Sequence, residues 1–162
     1  MILNFLRNKV VEVEPEPDGN LMVSWRLVDS LLEAFVQIKF QPPDLQILEA
    51  NAQLKRLPHR ECLAATQIIE KVKGVRVGSG LRKIVRGLLG GPAGCPIMIN
   101  AVLECSNAVI LHFTLPGLQG RENLSDEERL AVTREMLKSN PRLVRSCVAF
   151  ADDSPIMQGL NL

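Results

Sequence analysis

Leu21-Met22-Val23-Ser24-Trp25-Arg26-Leu27-Val28 is the stretch that decides the fold. Leu21, Val23, Trp25 and Leu27 alternate with Met22, Ser24, Arg26 and Val28, the period of two that sends successive side chains to opposite faces of a strand. Asp18-Gly19, just before it, is a turn dipeptide. Upstream, residues 10–14 are compatible with a further extended segment. Downstream, Ala34, Val36, Ile38 and Phe40 alternate with Glu33, Phe35, Gln37 and Lys39, which predicts a second strand. Gln41-Pro42-Pro43-Asp44 breaks it, because proline fixes φ and cannot donate to a ladder. From Leu45 to Leu54, the positions Leu48, Ala50, Ala52 and Leu54 mark a third strand. The short connections predict an antiparallel three-stranded meander.

The period then changes. Pro58 to Lys73 reads as a helix with Leu63, Ile68, Ile69 and Val72 apolar and Gly74 just past its end. Ser79-Gly80 opens another, with Leu81, Ile84, Val85, Leu88 and Leu89 on one face and Gly90-Gly91-Pro92 as its stop. Cys95-Pro96 opens a third, since proline suits the first helical position. It runs to about Glu104 or Ser106, and Val109 to Phe113 is either an extended segment or the end of that helix. Ser125-Asp126-Glu127-Glu128 has the form of a capping box, predicting a C-terminal helix over 125–139 that ends before Asn140-Pro141 and leaves an irregular tail. Strands first and helices after give an α+β fold, read as one domain over 1–162.

The chain has 162 residues, 46% hydrophobic and 23% charged, which excludes disorder, collagen and a chain-long coiled coil. Net charge is +1, but its distribution is uneven. Residues 12–49 carry eight acids and two bases, and residues 55–86 carry nine bases and two acids. The expectation is that the basic stretch is a solvated face or docks against the acidic strands. No aromatic residue stands between Phe40 and Phe113, so platforms for stacking single-stranded bases are missing, and nucleic acid is a disfavoured partner. No leader or membrane span is read, and the expected location is cytoplasmic, where the four cysteines would be reduced.

Cys62 and Cys95 fall at or near predicted helix N-termini, where unpaired N–H groups favour a thiolate. Thiolate binds metal or attacks electrophiles, whereas a free cysteine that merely packs is a small buried hydrophobe. His59 precedes Cys62 by three, a spacing that on a helix would share a face and suit a thiol enzyme. His112, in Leu111-His112-Phe113, reads as a hydrogen-bonded core or edge residue. Gly78-Ser79-Gly80 is either an anion cradle at a helix start or part of a turn.

The order of Asp18-Gly19, Arg26-Leu27-Val28-Asp29-Ser30, Pro58-His59-Arg60-Glu61-Cys62, Lys73-Gly74-Val75-Arg76-Val77-Gly78, Gly90-Gly91-Pro92-Ala93-Gly94-Cys95 and Arg145-Ser146-Cys147-Val148-Ala149 resembles an uncharacterised bacterial family, the domain of unknown function 2889. The resemblance runs from about Glu14 to Pro155. Where the family pattern carries a histidine two residues after the second cysteine, this chain has Ile97, which makes His112 the first alternative nitrogen ligand. More distantly, the chain is similar to iron–sulfur cluster assembly scaffold proteins. That likeness implies a site at Asp29, Cys62 and Cys95, with Leu27 standing where the scaffold has its first cysteine. Cys147 would bring the set to three thiolates and a carboxylate, adequate for tetrahedral zinc or an iron–sulfur species.

The resulting expectation is an accessory metal- or iron–sulfur-binding protein rather than an enzyme. A binding or assembly module with structural cysteines and a thiol-dependent enzyme are the alternatives. A protein partner or a second copy of the chain is compatible with either non-enzymatic reading.

Overall fold

The computed structural model describes residues 4–113, 120–139 and 141–160. Contacts divide the chain into two compact units, residues 1–112 and 113–162.

The first unit is built on strands β1 (Arg7–Pro15), β2 (Leu21–Asp29), β3 (Glu33–Gln41) and β4 (Gln46–Arg56), antiparallel in the order β1-β2-β3-β4. The expected three-stranded meander is thus a four-stranded one. Residues 10–14 lie within β1, which pairs with β2 from Arg7 opposite Asp29 to Pro15 opposite Leu21. The alternation in β2 and β3 is realised: Leu21, Val23, Trp25, Leu27, Ala34, Val36, Ile38 and Phe40 are all buried on one face. In β4 the phase differs from the reading. Pairing slips between Lys39 and Phe40, so that Phe40 faces Ile47 while Lys39 faces Glu49. Ile47, rather than Leu48, is therefore the fully buried residue at that end. The extra residue is a bulge, which shifts the side-chain phase by one.

Beyond β4 the expected single helix over 58–73 is three short pieces: a 3-10 turn at Arg60–Ala64, a four-residue α1 (Ala65–Ile68) and a second 3-10 turn at Ile69–Val72. Thr66, Ile68 and Ile69 are stiff at χ1, and the Thr66 hydroxyl donates back to the Leu63 carbonyl at 2.8 Å. Ala65, Ile69 and Val72 still reach the core, whereas Leu63 is exposed. The following segment returns to the sheet: the Gly74 and Val77 N–H groups donate to the Ile47 and Leu45 carbonyls at 2.8 and 3.1 Å, and Ile47 N–H donates to the Val75 carbonyl at 2.8 Å.

Gly80, at φ +80°, then caps α2 (Leu81–Leu89) in the left-handed region open to glycine. The α2–α3 turn is tight: a Cβ on Gly94 would lie 2.1 Å from the Leu89 carbonyl oxygen, so only glycine fits. Helix α3 spans Pro96–His112, so Val109 to His112 are the end of that helix, the second of the two readings. Ser106 does not end it, because its hydroxyl donates to the Val102 carbonyl at 2.7 Å and Val109 continues the buried stripe. Val85 and Leu89 of α2 and Met98, Ala101, Val102, Cys105 and Val109 of α3 complete the core over the sheet.

In the second unit, α4 (Asp126–Ser139) starts with the predicted capping box. The Ser125 N–H donates to Glu128 Oε2 at 2.8 Å, and the Glu128 N–H donates to Ser125 Oγ at 3.3 Å. Arg134 donates to the Pro155, Ile156 and Gln158 carbonyls, pinning the tail to the helix. No helix among the described residues is long and apolar enough to cross a membrane.

Candidate functional site

Asp29 ends β2 and is 4% exposed. Its Oδ1 accepts the N–H groups of Leu31 and Leu32 at 2.8 and 2.6 Å, closing the β2–β3 turn. Its Oδ2 accepts Arg7 Nε and Nη2 at 2.8 and 2.6 Å. Arg56 donates to its backbone carbonyl. Burial pushes the carboxyl up, but the Leu31 N–H, the Arg7 guanidinium and the Leu32 N–H pull it further down, so it sits below its ordinary value. A carboxylate with both oxygens so engaged is a turn clamp.

The other expected ligands are placed apart in role. Cys62 lies inside the 3-10 turn Arg60–Ala64, half-buried, rather than at the start of a long helix. His59 is extended, at φ −138° and ψ 141°, so the shared helical face expected for His59 and Cys62 does not form. Cys95 does stand at a helix start. Its carbonyl accepts the Ile99 N–H at 3.2 Å, its own N–H donates to the Leu89 carbonyl at 2.8 Å, and its side chain packs against the core. Cys147 belongs to the second unit and is exposed. Cys105 is fully buried, and burial together with the neighbouring Glu104 charge pushes its thiol well above the ordinary range. His112 closes α3, half-buried. Among the described residues no three histidine, cysteine, aspartate or glutamate side chains form a group able to hold a metal. The structure of the first unit therefore does not bring Asp29, Cys62 and Cys95 together as one ligand group.

Two residues outside that set organise the sheet. Glu104, the lone carboxylate of α3, accepts Trp25 Nε1 at 2.5 Å and pairs with Lys9, tying α3 to β2 and β1. A single acid in an otherwise apolar helix was the signal that could have found it. Lys39 bridges Glu16 and Asp18, both at 2.7 Å. The hydrogen bond from Lys39 is the main cause that lowers Asp18 to about 2.

Of the two expectations for the basic stretch, the solvated face describes most of it: all nine of its bases are exposed, and two of them pair with acids of residues 12–49. Lys55 reaches Glu33 at 3.9 Å, Arg76 reaches Asp44 at 3.6 Å, and Arg56 holds the Asp29 carbonyl. Arg60, Lys71, Lys73, Arg82, Lys83 and Arg86 have no ion pair within 4.0 Å among the described residues. Lys73 also lines an open pocket of about 230 Å³ with Glu49, Ala50, Asn51 and Glu70. On α2 the burial of Val85 and Leu89 turns Arg82, Lys83 and Arg86 outward. Like charges at i, i+3 and i, i+4 stand about 5–6 Å apart and repel, so this arrangement costs stability that a bound anion would return.

Fold and site together define a small α+β module with an antiparallel sheet, a helical cover and a cationic flank. Residues 29–111, just over half of the chain, match the family described as a protein of unknown function (DUF2889), and the chain belongs to it. The matched segment contains Asp29, Cys62, Cys95 and the whole cationic flank. No curated protein and no solved structure matches the chain.

Proposed function

We propose that residues 1–112 are a non-catalytic binding module that presents its cationic flank to an anionic partner. The observation that carries the reading is the set of six exposed bases in 60–86 without an ion-pair partner among the described residues. Folding alone would favour neutralising or dispersing such a set. On this reading Cys105 and Cys95 are packing residues, in contact with the core.

Titrating inorganic polyphosphate into the full chain by calorimetry tests this. Binding that weakens steeply with salt is the expected result, and no binding at low salt would overturn it. Metal content after anaerobic purification tests the thiolate alternative separately. Stoichiometric metal lost on Cys62→Ala and Cys95→Ala would restore that alternative.

A further inference from the structure

We infer that the anion met by the cationic flank is the phosphate backbone of a nucleic-acid duplex, a step that rests on the binding-module reading above. Two observations select this partner among polyanions. The first is the chemistry of the flank. From residue 55 to 86 there is no Trp, Tyr, Phe or Met, and four of its nine bases are lysines. Protein interfaces draw their binding energy from aromatic residues and arginine in a desolvated centre, with lysine depleted. This flank lacks the aromatic half of that set, and its exposed large aliphatics are Leu63 and Ile84.

The second is the state of α2. A helix that attaches to an anionic membrane inserts its apolar side into the lipid boundary. Here that side is already spent: Val85 and Leu89 are fully buried in the core. Besides Arg82, Lys83 and Arg86, α2 exposes one large aliphatic, Ile84, too little apolar surface to enter a lipid boundary.

The lack of aromatics also bears on the kind of nucleic acid. Single strands are held by stacking bases on aromatic rings. Without rings, what remains is contact to phosphates, which a duplex displays at about one negative charge per 1.7 Å of axis. Helix α2, which carries Arg82, Lys83 and Arg86, contacts the turn Ile69–Val72, which contains Lys71 and precedes Lys73. Glu61 and Glu70 are exposed in the same segment and limit how many phosphates are met. Contacts of this kind position a duplex without reading its bases, so binding is independent of sequence.

Fluorescence anisotropy with short mixed-sequence DNA and RNA duplexes and the full chain tests the inference. If six phosphates are neutralised, affinity falls about a thousandfold between roughly 50 and 200 mM salt. The combined Arg82→Gln, Lys83→Gln and Arg86→Gln variant should weaken duplex binding at least about tenfold at low salt and reduce the salt slope by about three. A Glu12→Gln, Glu14→Gln variant should not weaken it. Unchanged duplex binding by the α2 variant, in a protein that melts like the parent, would overturn the inference. So would binding of polyglutamate or of phosphatidylserine vesicles, lost in that variant, with no duplex binding; that outcome would leave the anion-binding reading standing. Failure of every polyanion to bind would remove both.

Discussion

The acidic strands and the basic helical flank carry opposite charge of similar size, yet the protein uses them in different ways. In the strand region most acids are joined to the fold, Glu12, Glu14 and Glu49 excepted: Asp29 to Arg7 and the β2–β3 turn, Asp18 and Glu16 to Lys39, Glu33 to Arg26 and Lys55. In the flank Arg60, Lys71, Lys73, Arg82, Lys83 and Arg86 are exposed and hold none of the protein's ion pairs among the described residues. Charges that position backbone are structural equipment; exposed charges without an ion pair contribute little to folding and remain available to a partner.

The contrast can be broken most forcefully at Asp29. Asp29→Ala strands the Arg7 guanidinium and the Leu31 and Leu32 N–H groups, and should lower the melting temperature by roughly 10 °C. A melting curve that overlays the parent's would show that the turn holds without its clamp. Lys39→Met comes next. It leaves Glu16 and Asp18 facing each other, and thermal melts at neutral pH should show a loss of about 3–5 °C.

Acid provides a smaller effect with a definite sign. Asp18 is lowered from 3.8 to about 2 and Asp29 is lowered as well. A carboxyl whose folded value is depressed contributes stability above its unfolded value, and that contribution is lost as pH falls through the folded one. Denaturation followed from pH 4 to pH 2 should therefore show declining stability, less steep in Asp18→Asn. Asp18 is half exposed, so solvent screening keeps its share shallow. The smallest effect sharpens the other side of the contrast. The combined α2 glutamine variant should melt within about 2 °C of the parent, because its side chains touch no partner. A marked loss would show that the flank supports the fold.

Much of the first unit was legible because β2 and β3 bury one face completely, and complete burial writes alternation into the sequence. Strand β1 was only half legible: it is an edge strand that gives the core little more than Val11 and Val13, too few for a firm pattern. The bulge in β4 and the fragmented helix after it were hidden, since both depend on where neighbours stop rather than on local periodicity. The end of helix α3 stayed open in the sequence because serine favours caps and turns, whereas Ser106 satisfies its hydroxyl within the helix. The site was less legible than the fold. Asp29 and the cysteines drew notice by residue type, but spacing in sequence says nothing of engagement in space. The partner of the Asp29 carboxylate, Arg7, lies at the start of a strand the pattern barely marked. The basic stretch was visible from composition, while its lack of partners could be learned only from coordinates.

The short ladder joining residues 74–77 to Leu45 and Ile47 rivets the approach of α2 to the rim of the sheet. The cationic helix consequently cannot swing as an independent arm. Its backbone is anchored to the sheet, so on the proposed reading the ordering left to a ligand is that of the exposed side chains alone.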